Sequence, residues 1–197
     1  MNLAIVLQAR VGSTRYPGKA LADICGKTLM ERVLFRLEQA CGGPQVLALP
    51  DTAENDPLER MGLARGWRVC RGSEPDVLSR YAKAIRRFEL DRVVRATADN
   101  PLVDPQIVRR VCELIRDHEC VQPVNGPPGS AVEGAAARAL LAADRDAQDP
   151  FEREHVFPYI YRHPELFPRV TVESEWPRAE RYRLTVDTAE DIERTRR

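Results

Sequence analysis

The chain begins with a short apolar run that stops at a basic, glycine-containing loop, and this feature constrains the architecture more than any other. Leu3–Gln8 has the composition of a buried strand. The loop that follows carries positive charge among small residues, at Arg10, Gly12, Ser13, Thr14, Arg15, Gly18 and Lys19. Backbone N–H groups and fixed positive charge at the end of a strand suit a phosphate. We therefore expect a nucleotide or sugar-phosphate site here, with an ordinary solvated basic loop as the alternative.

Two common phosphate motifs are absent from this loop. A P-loop requires G-x-x-x-x-G-K-[ST] running into a helix. The interval Gly12–Gly18 is one residue too long, and Ala20 stands where the hydroxyl residue should be. The G-x-G-x-x-G pattern of dinucleotide-binding folds is missing as well. If the loop binds phosphate, it belongs to another class of phosphate-binding protein.

Composition narrows the function further. The 197 residues suffice for one large domain with a substantial core, and the formal net charge of zero argues against a nucleic-acid-binding protein. The 5 cysteines are scattered, without a C-x-x-C pair, which favours reduced thiols and a cytoplasmic location. No apolar run approaches the length of about 18 residues that a membrane span needs. We expect neither a membrane span nor secretion.

Strand-like and helical patterns alternate along the chain. Predicted strands are Leu3–Gln8, Val46–Leu49, Trp67–Cys70, Arg92–Thr97, Val170–Glu173 and Arg183–Val186. Predicted helices are Thr28–Ala40, Pro57–Arg65, one opened by Ser73–Asp76, one begun by Asp104 and Pro105, Ala135–Ala143, Phe151–His163 and Thr188–Arg196. Residues 125–134 are predicted to form a loop or a short irregular strand. The alternation predicts an α/β fold with a largely parallel sheet, whose ligands bind at the carboxyl ends of the strands.

Two aspartates occupy matching places in this pattern. Asp99 follows the strand Arg92–Thr97, and Asp187 follows the predicted strand Arg183–Val186. If both strands run parallel, both carboxylates project from the edge that carries the basic loop. Two carboxylates facing a triphosphate are a common way to hold Mg²⁺. The alternative for each residue is a helix N-cap or a turn, where Asp is also frequent.

Six segments resemble the signatures of the sugar cytidylyltransferases, which include the 3-deoxy-manno-octulosonate and acylneuraminate enzymes. The resemblance is greatest to the spore-coat polysaccharide biosynthesis protein F family. It covers nearly the whole chain, through QARVGSTRYPGK (8–19), GKTLMERVLFRL (26–37), RGSEPDVLSRY (71–81), RATADNPLVDP (95–105), EREHVFPYIYRHPELF (152–167) and RLTVDTAEDIE (183–193).

This resemblance implies a fold and an activity. The fold would be a three-layer α/β/α nucleotidyltransferase fold, similar to glycosyltransferase type A domains. It would form a single domain over residues 1–197, with residues 123–180 contributing a sugar-side or dimerisation subregion. The activity would be Mg²⁺-dependent transfer of a nucleoside monophosphate, usually CMP from CTP, to a sugar or sugar acid with release of pyrophosphate. Such a reaction serves polysaccharide or glycoconjugate biosynthesis, and a homodimer would be compatible with it.

The resemblance also implies roles for individual residues. Catalytic roles fall on Arg15, Lys19 and Asp99, and metal binding falls on Asp99 and Asp187. Nucleotide binding would involve Ala9, Arg10, Gly12, Ser13, Arg15, Lys19, Arg71, Ser73, Asp76 and Thr97. Sugar-side contacts would come from Glu133, Arg153 and His155, although His155 could equally be a packing or interface residue.

Two departures from the family pattern leave alternatives open. Thr97 stands where the octulosonate enzymes carry a Gln that helps recognise cytosine, so UTP or another nucleotide is compatible with the sequence. The spore-coat branch has D-G-x-D-V-E where this chain has Pro128–Glu133, which keeps Glu133 and loses both aspartates. Either the acceptor differs or the copy is a catalytically degenerate nucleotide-binding partner protein. A glycosyltransferase that uses a nucleotide-sugar is a further alternative, although Ala98-Asp99-Asn100 offers one carboxylate rather than a D-x-D pair.

Overall fold

A computed structural model describes residues 1–40, 42–174, 176 and 179–197, except for the side chain of Glu180. Its strands are β1 Leu3–Gln8, β2 Asp23–Ile24, β3 Lys27–Thr28, β4 Gln45–Pro50, β5 Arg68–Gly72, β6 Arg92–Thr97, β7 Cys120–Val124, β8 Glu133–Ala136 and β9 Arg169–Glu173. Its helices are α1 Leu29–Glu38, α2 Asp56–Ala64, α3 Val77–Phe88, α4 Pro105–Leu114, α5 Ala137–Asp146, α6 Pro150–His155, α7 Pro158–Arg162 and α8 Ala189–Arg196.

Seven strands form one sheet in the order β5-β4-β1-β6-β8-β7-β9. Within it β5, β4, β1 and β6 pair in parallel, and β7 pairs in parallel with β9. The strand β8 runs antiparallel to both of its neighbours. The mostly parallel sheet predicted from the sequence is confirmed. Gln8 lies beside Thr97 and Ala48, so the loops after β1, β4 and β6 leave the sheet at one edge.

Each face of the sheet is covered by helices, because alternate residues of the central strands point to opposite sides. Ile5 and Leu7 of β1 pack in a core that includes residues of α1, α2 and α4. Ala4 and Val6 pack in a second core with residues of α3, α5 and α7. The three-layer α/β/α architecture is confirmed.

Several helix starts follow from local chemistry. At α1 the Thr28 hydroxyl accepts a hydrogen bond from the Glu31 N–H at 3.2 Å, and the Glu31 carboxylate accepts one from the Thr28 N–H at 2.7 Å. This capping box satisfies two N–H groups that the first turn leaves without partners. An equivalent box between Thr188 and Asp191 opens α8. Asp104 caps α4 as predicted.

Three predictions about secondary structure were wrong. Arg183–Val186 is not a strand: the Leu184 N–H bonds to Pro128 O and the Val186 N–H bonds to Asp99 O, both at 2.8 Å, so its partners lie in two different loops and no ladder forms.

The predicted helix Phe151–His163 is two helices, α6 and α7. They are separated at Val156, whose positive φ of 73° breaks the helical path. Pro158, which lacks an N–H group, then begins the second helix.

The third error concerns the far side of the sheet. The strand β7 was missed because Gln122 and Pro123 interrupt its apolar pattern, and β8 occupies the first two residues of the predicted helix Ala135–Ala143. Tertiary pairing with β6, β7 and β9 decides the structure of both segments, which local composition does not reveal.

Candidate active site

A cavity of about 270 Å³ opens where β1 and β6 end. Its wall comes from the N-terminal loop, the start of α3, the turn after β6, the end of α6 and the segment before α8. The residues that line it are Gln8, Ala9, Arg10, Ser13, Thr14, Arg15, Lys19, Ala20, Glu74, Val77, Arg80, Arg95, Thr97, Ala98, Asp99, Glu154, His155 and Asp187. The structure therefore brings most of the predicted site residues to one cavity.

Lys19 lies between the two aspartates singled out from the sequence. Its Nζ is 3.3 Å from Asp187 Oδ1 and 3.8 Å from Asp99 Oδ2, and it donates a hydrogen bond to Val186 O at 2.9 Å. Lys19 begins a single 3₁₀ turn that follows Gly18, whose φ of 74° favours glycine. A group of one cation and two carboxylates, drawn from sites far apart in the chain, thus faces the cavity.

Two arginines complete this charged group around Asp187. Arg15 contacts Asp187 Oδ1 at 2.7 Å, and Arg183 contacts Asp187 Oδ2 at 2.6 Å. Burial alone would raise the pKa of Asp187, but hydrogen bonds from Arg183 and Lys19, with the nearby positive charges, hold that pKa below its ordinary value. The carboxylate is therefore ionised at neutral pH, and both of its oxygens are occupied by cations.

The start of α8 fixes the position of Asp187. The N–H groups of Asp187 and Thr188 both donate to Asp191 Oδ2, at 2.7 and 3.0 Å. The Val186 N–H bonds to the Asp99 carbonyl oxygen, which ties the turn after β6 to the segment before α8. Although Arg183–Val186 is not a strand, this backbone contact places Asp99 and Asp187 side by side.

The two aspartates differ in how closely the cationic side chains of the protein pair with their carboxylates. The Asp99 side chain is 33% exposed, and its ion pair with Lys19 is long, at 3.8 Å. Within the part of the chain that the structure describes, no group of three or more His, Cys, Asp or Glu side chains is placed to hold a metal ion. Mg²⁺ commonly binds through one or two carboxylates together with substrate phosphates and waters, so Asp99 and Asp187 fit that donor set only with a phosphate ligand present.

Four of the residues predicted to bind the nucleotide do not line this cavity. Arg71 instead pairs with Asp56 at 2.6 Å and with Glu59 at 2.5 Å, next to α2. Asp76 caps α3 through the Ser79 N–H, and the Ser73 hydroxyl accepts a hydrogen bond from the Asp76 N–H. Gly12 is also outside the lining. The segment 71–76 contributes Glu74 to the cavity rather than the three residues that the resemblance implied.

A second cavity, of about 260 Å³, adjoins the first and shares Arg95 and Thr97 with it. Its other lining residues are Asn100 and the consecutive residues 123–133. Glu133, predicted on the sugar side, lies here. His155 lines the first cavity instead. Arg153 lines neither, because it is held by Asp76 at 2.7 Å and by Asp144 at 3.0 Å.

A hydrogen-bonded chain of side chains connects the two cavities. The Gln8 amide oxygen accepts from Arg95 Nε at 3.0 Å and from the Tyr81 hydroxyl at 3.3 Å. Arg95 pairs with Glu133, which also accepts from the Tyr161 hydroxyl at 2.7 Å. Burial and the adjacent Glu133 charge raise the pKa of Tyr161, which is therefore protonated and acts as a donor. Sequence reasoning missed Gln8, Arg95 and Tyr161, since their partners are distant along the chain.

The sequence and the fold are similar to those of known proteins. The sequence profile of the family described as cytidylyltransferase matches residues 4–197. The chain belongs to the cytidylyltransferase family. It is therefore a nucleotidyltransferase by family membership.

Among curated relatives, the spore coat polysaccharide biosynthesis protein SpsF of Bacillus subtilis is 35% identical over 201 residues, which cover 98% of this chain and 84% of that protein. A 3-deoxy-manno-octulosonate cytidylyltransferase of Yersinia enterocolitica is 35% identical over 169 residues, which cover 78% of this chain and 66% of that enzyme. The resemblance stated from the sequence motifs is thereby confirmed.

Solved structures agree with the family assignment. A cytidylyltransferase from Leptospira borgpetersenii superposes with a TM-score of 0.92 at 30% identity and covers 100% of this chain and 85% of its own. CMP:2-keto-3-deoxy-manno-octonic acid synthetase in complex with CTP superposes with a TM-score of 0.73 at 18% identity, covering 100% and 97%, which shows a shared fold. None of the helices in the described part of the chain has the length and apolar character that a membrane span requires.

Proposed function

We propose that this cytidylyltransferase-family protein transfers CMP from CTP to a hydroxyl group of a sugar or sugar acid and releases pyrophosphate, for polysaccharide or glycoconjugate biosynthesis. One observation carries the proposal: Lys19 faces the cavity between Asp99 and Asp187, within 3.8 Å of both carboxylates. A metal-bound triphosphate suits this arrangement, because its phosphates can pair with the lysine and its metal ion with the two carboxylates.

The charged group at the cavity edge supports binding of the triphosphate there. Arg15 has a side chain that is 64% exposed, so it is free to turn from Asp187 towards phosphate oxygens. Lys19 is held at 16% exposure and offers a fixed charge. Ser13 and Ala9 also line the cavity, where the Ser13 hydroxyl is a polar group that the same ligand can contact.

Asp99 and Asp187 would hold the Mg²⁺ ion together with phosphate oxygens. Such an ion would neutralise charge on the phosphates and polarise the phosphorus that is attacked. Charge builds on the leaving pyrophosphate during displacement, and Arg15 and Lys19 lie where they can stabilise it. Backbone contacts of Val186 hold Lys19 and the turn of Asp99 in place, so these two residues need little rearrangement at the moment of reaction.

The second cavity is the proposed acceptor site. It joins the first at Arg95 and Thr97, so an acceptor bound there would lie beside the nucleotide. The acceptor hydroxyl gives up its proton to solvent, and its oxygen forms the new bond to the α-phosphorus. The bond from that phosphorus to the oxygen shared with the β-phosphate breaks, and its electron pair leaves on pyrophosphate. Residues 123–133 line this cavity, which supports the sugar-side role expected for 123–180. The homodimer and the cytoplasmic location stay predictions.

A pyrophosphate-release assay tests this function. CTP, UTP, ATP and GTP are each supplied with Mg²⁺ and a panel of neutral sugars, amino sugars and sugar acids. The proposal expects pyrophosphate only when CTP and an acceptor are both present, and a CMP-sugar product of matching mass. Release of a nucleoside diphosphate from a nucleotide-sugar would instead indicate a glycosyltransferase. Binding of nucleotide without turnover for any acceptor would favour a non-catalytic partner protein.

A further inference from the structure

One cation in the first cavity is left without a partner. Arg80 on α3 is 2% exposed, yet its Nε and Nη1 atoms are buried and hydrogen-bond to nothing in the described residues. Burial of this guanidinium lowers the pKa of Arg80. A buried polar group without a partner is costly, and an arginine brings five N–H donors. Because Arg80 lines the cavity, a bound ligand can supply the missing acceptors.

Arg80 packs against a glycine, Gly72, and a larger residue there would occupy space that the arginine side chain uses. A Cβ atom added to Gly72, at the end of β5, would lie 3.0 Å from Arg80 Cγ. The arginine stem would have to shift by a few tenths of an ångström to accept that atom. The glycine therefore permits the guanidinium to lie deep in the wall of the cavity.

The position of Arg80 points to the base of the nucleotide rather than to its phosphates. Ala20 and Val186, the chain neighbours of Lys19 and Asp187, belong to the core on the α1 face of the sheet. Arg80 lies on α3, which covers the opposite face. If the triphosphate occupies the Lys19 end, the base extends towards α3. Glu74 and Glu154 also line the cavity, within 3.9 Å of Arg10, and their charges oppose a polyphosphate at this end.

We infer that Arg80 is a specificity-determining residue that recognises the base of CTP through the two adjacent acceptors of cytosine, the O2 carbonyl oxygen and the ring nitrogen N3. The inference rests on the proposed function and adds the residue that distinguishes the nucleotide. A guanidinium donates two N–H groups side by side and accepts none, which complements this pair. Uracil presents an N–H donor at N3, which would face the arginine donors unfavourably. Thr97, a single hydroxyl, is not required to make the distinction.

Isothermal titration calorimetry in Mg²⁺ buffer tests the inference, with CTP, UTP and inorganic tripolyphosphate as ligands. The variants are Arg80→Met, which keeps much of the volume without the donors, and Arg80→Lys, which keeps the charge without the paired donors. Arg87→Met is the matched control, because it removes an exposed guanidinium from the same helix. Melting temperature without ligand is measured for every variant.

Wild type and Arg87→Met are expected to bind CTP more tightly than UTP. Arg80→Met should weaken CTP binding roughly tenfold to a hundredfold, as expected for the loss of a paired contact with a base. Its affinities for UTP and tripolyphosphate should change much less. Arg80→Lys should likewise lose the preference for CTP. The melting temperature of Arg80→Met should equal or exceed that of wild type, because an unpaired buried charge has been removed.

Each contrary result has its own meaning. An unchanged ratio of CTP to UTP affinity in Arg80→Met would overturn the inference and leave the proposed function intact. Equal loss of CTP, UTP and tripolyphosphate binding would overturn it too, and would assign Arg80 to the phosphates. Wild type that binds no nucleotide at all would overturn both. A lower melting temperature in Arg80→Met, with ligand affinities unchanged, would show that Arg80 is a packing residue only. Gly72→Ala, which shifts the arginine stem by a few tenths of an ångström, should lower the preference for CTP by less than Arg80→Met does if the inference holds.

Discussion

The two adjoining cavities are lined by different kinds of residue. The first is lined by charged side chains that come from separate parts of the chain, with Lys19 between Asp99 and Asp187. The second is lined mainly by one continuous segment rich in proline and small residues, and its arginine, Arg95, is already paired with Glu133. Charge chemistry thus defines the proposed phosphate site, while backbone shape defines the proposed acceptor site.

This difference explains why the sequence predicted the residues of the first site in more detail than those of the second. A phosphate site needs particular residue types, so Arg15, Lys19 and Asp99 could be picked out before the fold was known. The acceptor cavity depends on how residues 123–133 turn, and loop shape is not encoded by residue type alone. The altered segment Pro128–Glu133 therefore bears on which acceptor fits rather than on whether the nucleotide binds.

The largest expected effect is at the phosphate site. Asp99→Ala should lower Mg²⁺-dependent turnover at least about a hundredfold, because it removes a proposed metal ligand at the reacting centre. The melting temperature should stay near that of wild type, since the Asp99 side chain is a third exposed and forms one long ion pair. Steady-state kinetics and thermal melting measure both.

Asp51→Ala is the matched control for this variant. Asp51 is exposed and follows β4, the strand beside β1, but it does not line the cavity. Its turnover should equal that of wild type. A fully active Asp99→Ala enzyme would show that Asp99 takes no part in the reaction. It would also contradict the view that charged side chains define the first cavity as the phosphate site.

The next effect is at the acceptor site. Glu133→Ala should raise the KM for the acceptor roughly tenfold and change the Kd for CTP little. It should also destabilise the fold by about 1–3 kcal/mol, because Arg95 and the Tyr161 hydroxyl both lose a partner. Glu133→Gln keeps an acceptor for Tyr161 and should recover part of the stability. If CTP affinity fell as much as acceptor affinity, the two cavities would not be separate sites.

A smaller effect concerns acid pH. The lowered pKa of Asp187 means that its ion pairs stabilise the fold above pH 3.8, the ordinary value, and that this contribution is lost as pH falls through the lowered pKa. The melting temperatures of wild type and Asp187→Asn should therefore differ by a constant amount at neutral pH and converge in acid. A difference that grew as the pH fell would contradict the assigned direction of the shift.

The smallest effect is at the helix that positions Asp187. Thr188→Ala removes the capping box of α8 and should cost about 1 kcal/mol of folding stability. Thr28→Ala removes the matching box of α1 and should cost a similar amount. Only Thr188→Ala should also reduce turnover, by a few fold, because Asp187 adjoins that cap. Equal turnover in the two variants would show that the cap has no part in placing Asp187.

The sequence predicted the layers of the fold because hydrophobic periodicity is local, and it predicted the strands near the site to within two residues. It was wrong about Arg183–Val186, yet Asp187 still reaches Asp99 because the Val186 N–H bonds to the Asp99 carbonyl. Residue type alone could not show that Arg71 is held by Asp56 and Glu59 outside the cavity. Nor could it separate Arg80 from an ordinary surface arginine of α3, since burial depends on Gly72 and the packing of the sheet.

The structure of the protein with CTP and Mg²⁺ bound tests the central claim most directly. The account predicts the triphosphate against Arg15 and Lys19, the ion held by Asp99 and Asp187, and the second cavity open beside the α-phosphate. A triphosphate bound away from Lys19, with Asp99 and Asp187 still paired only to protein cations, would contradict it.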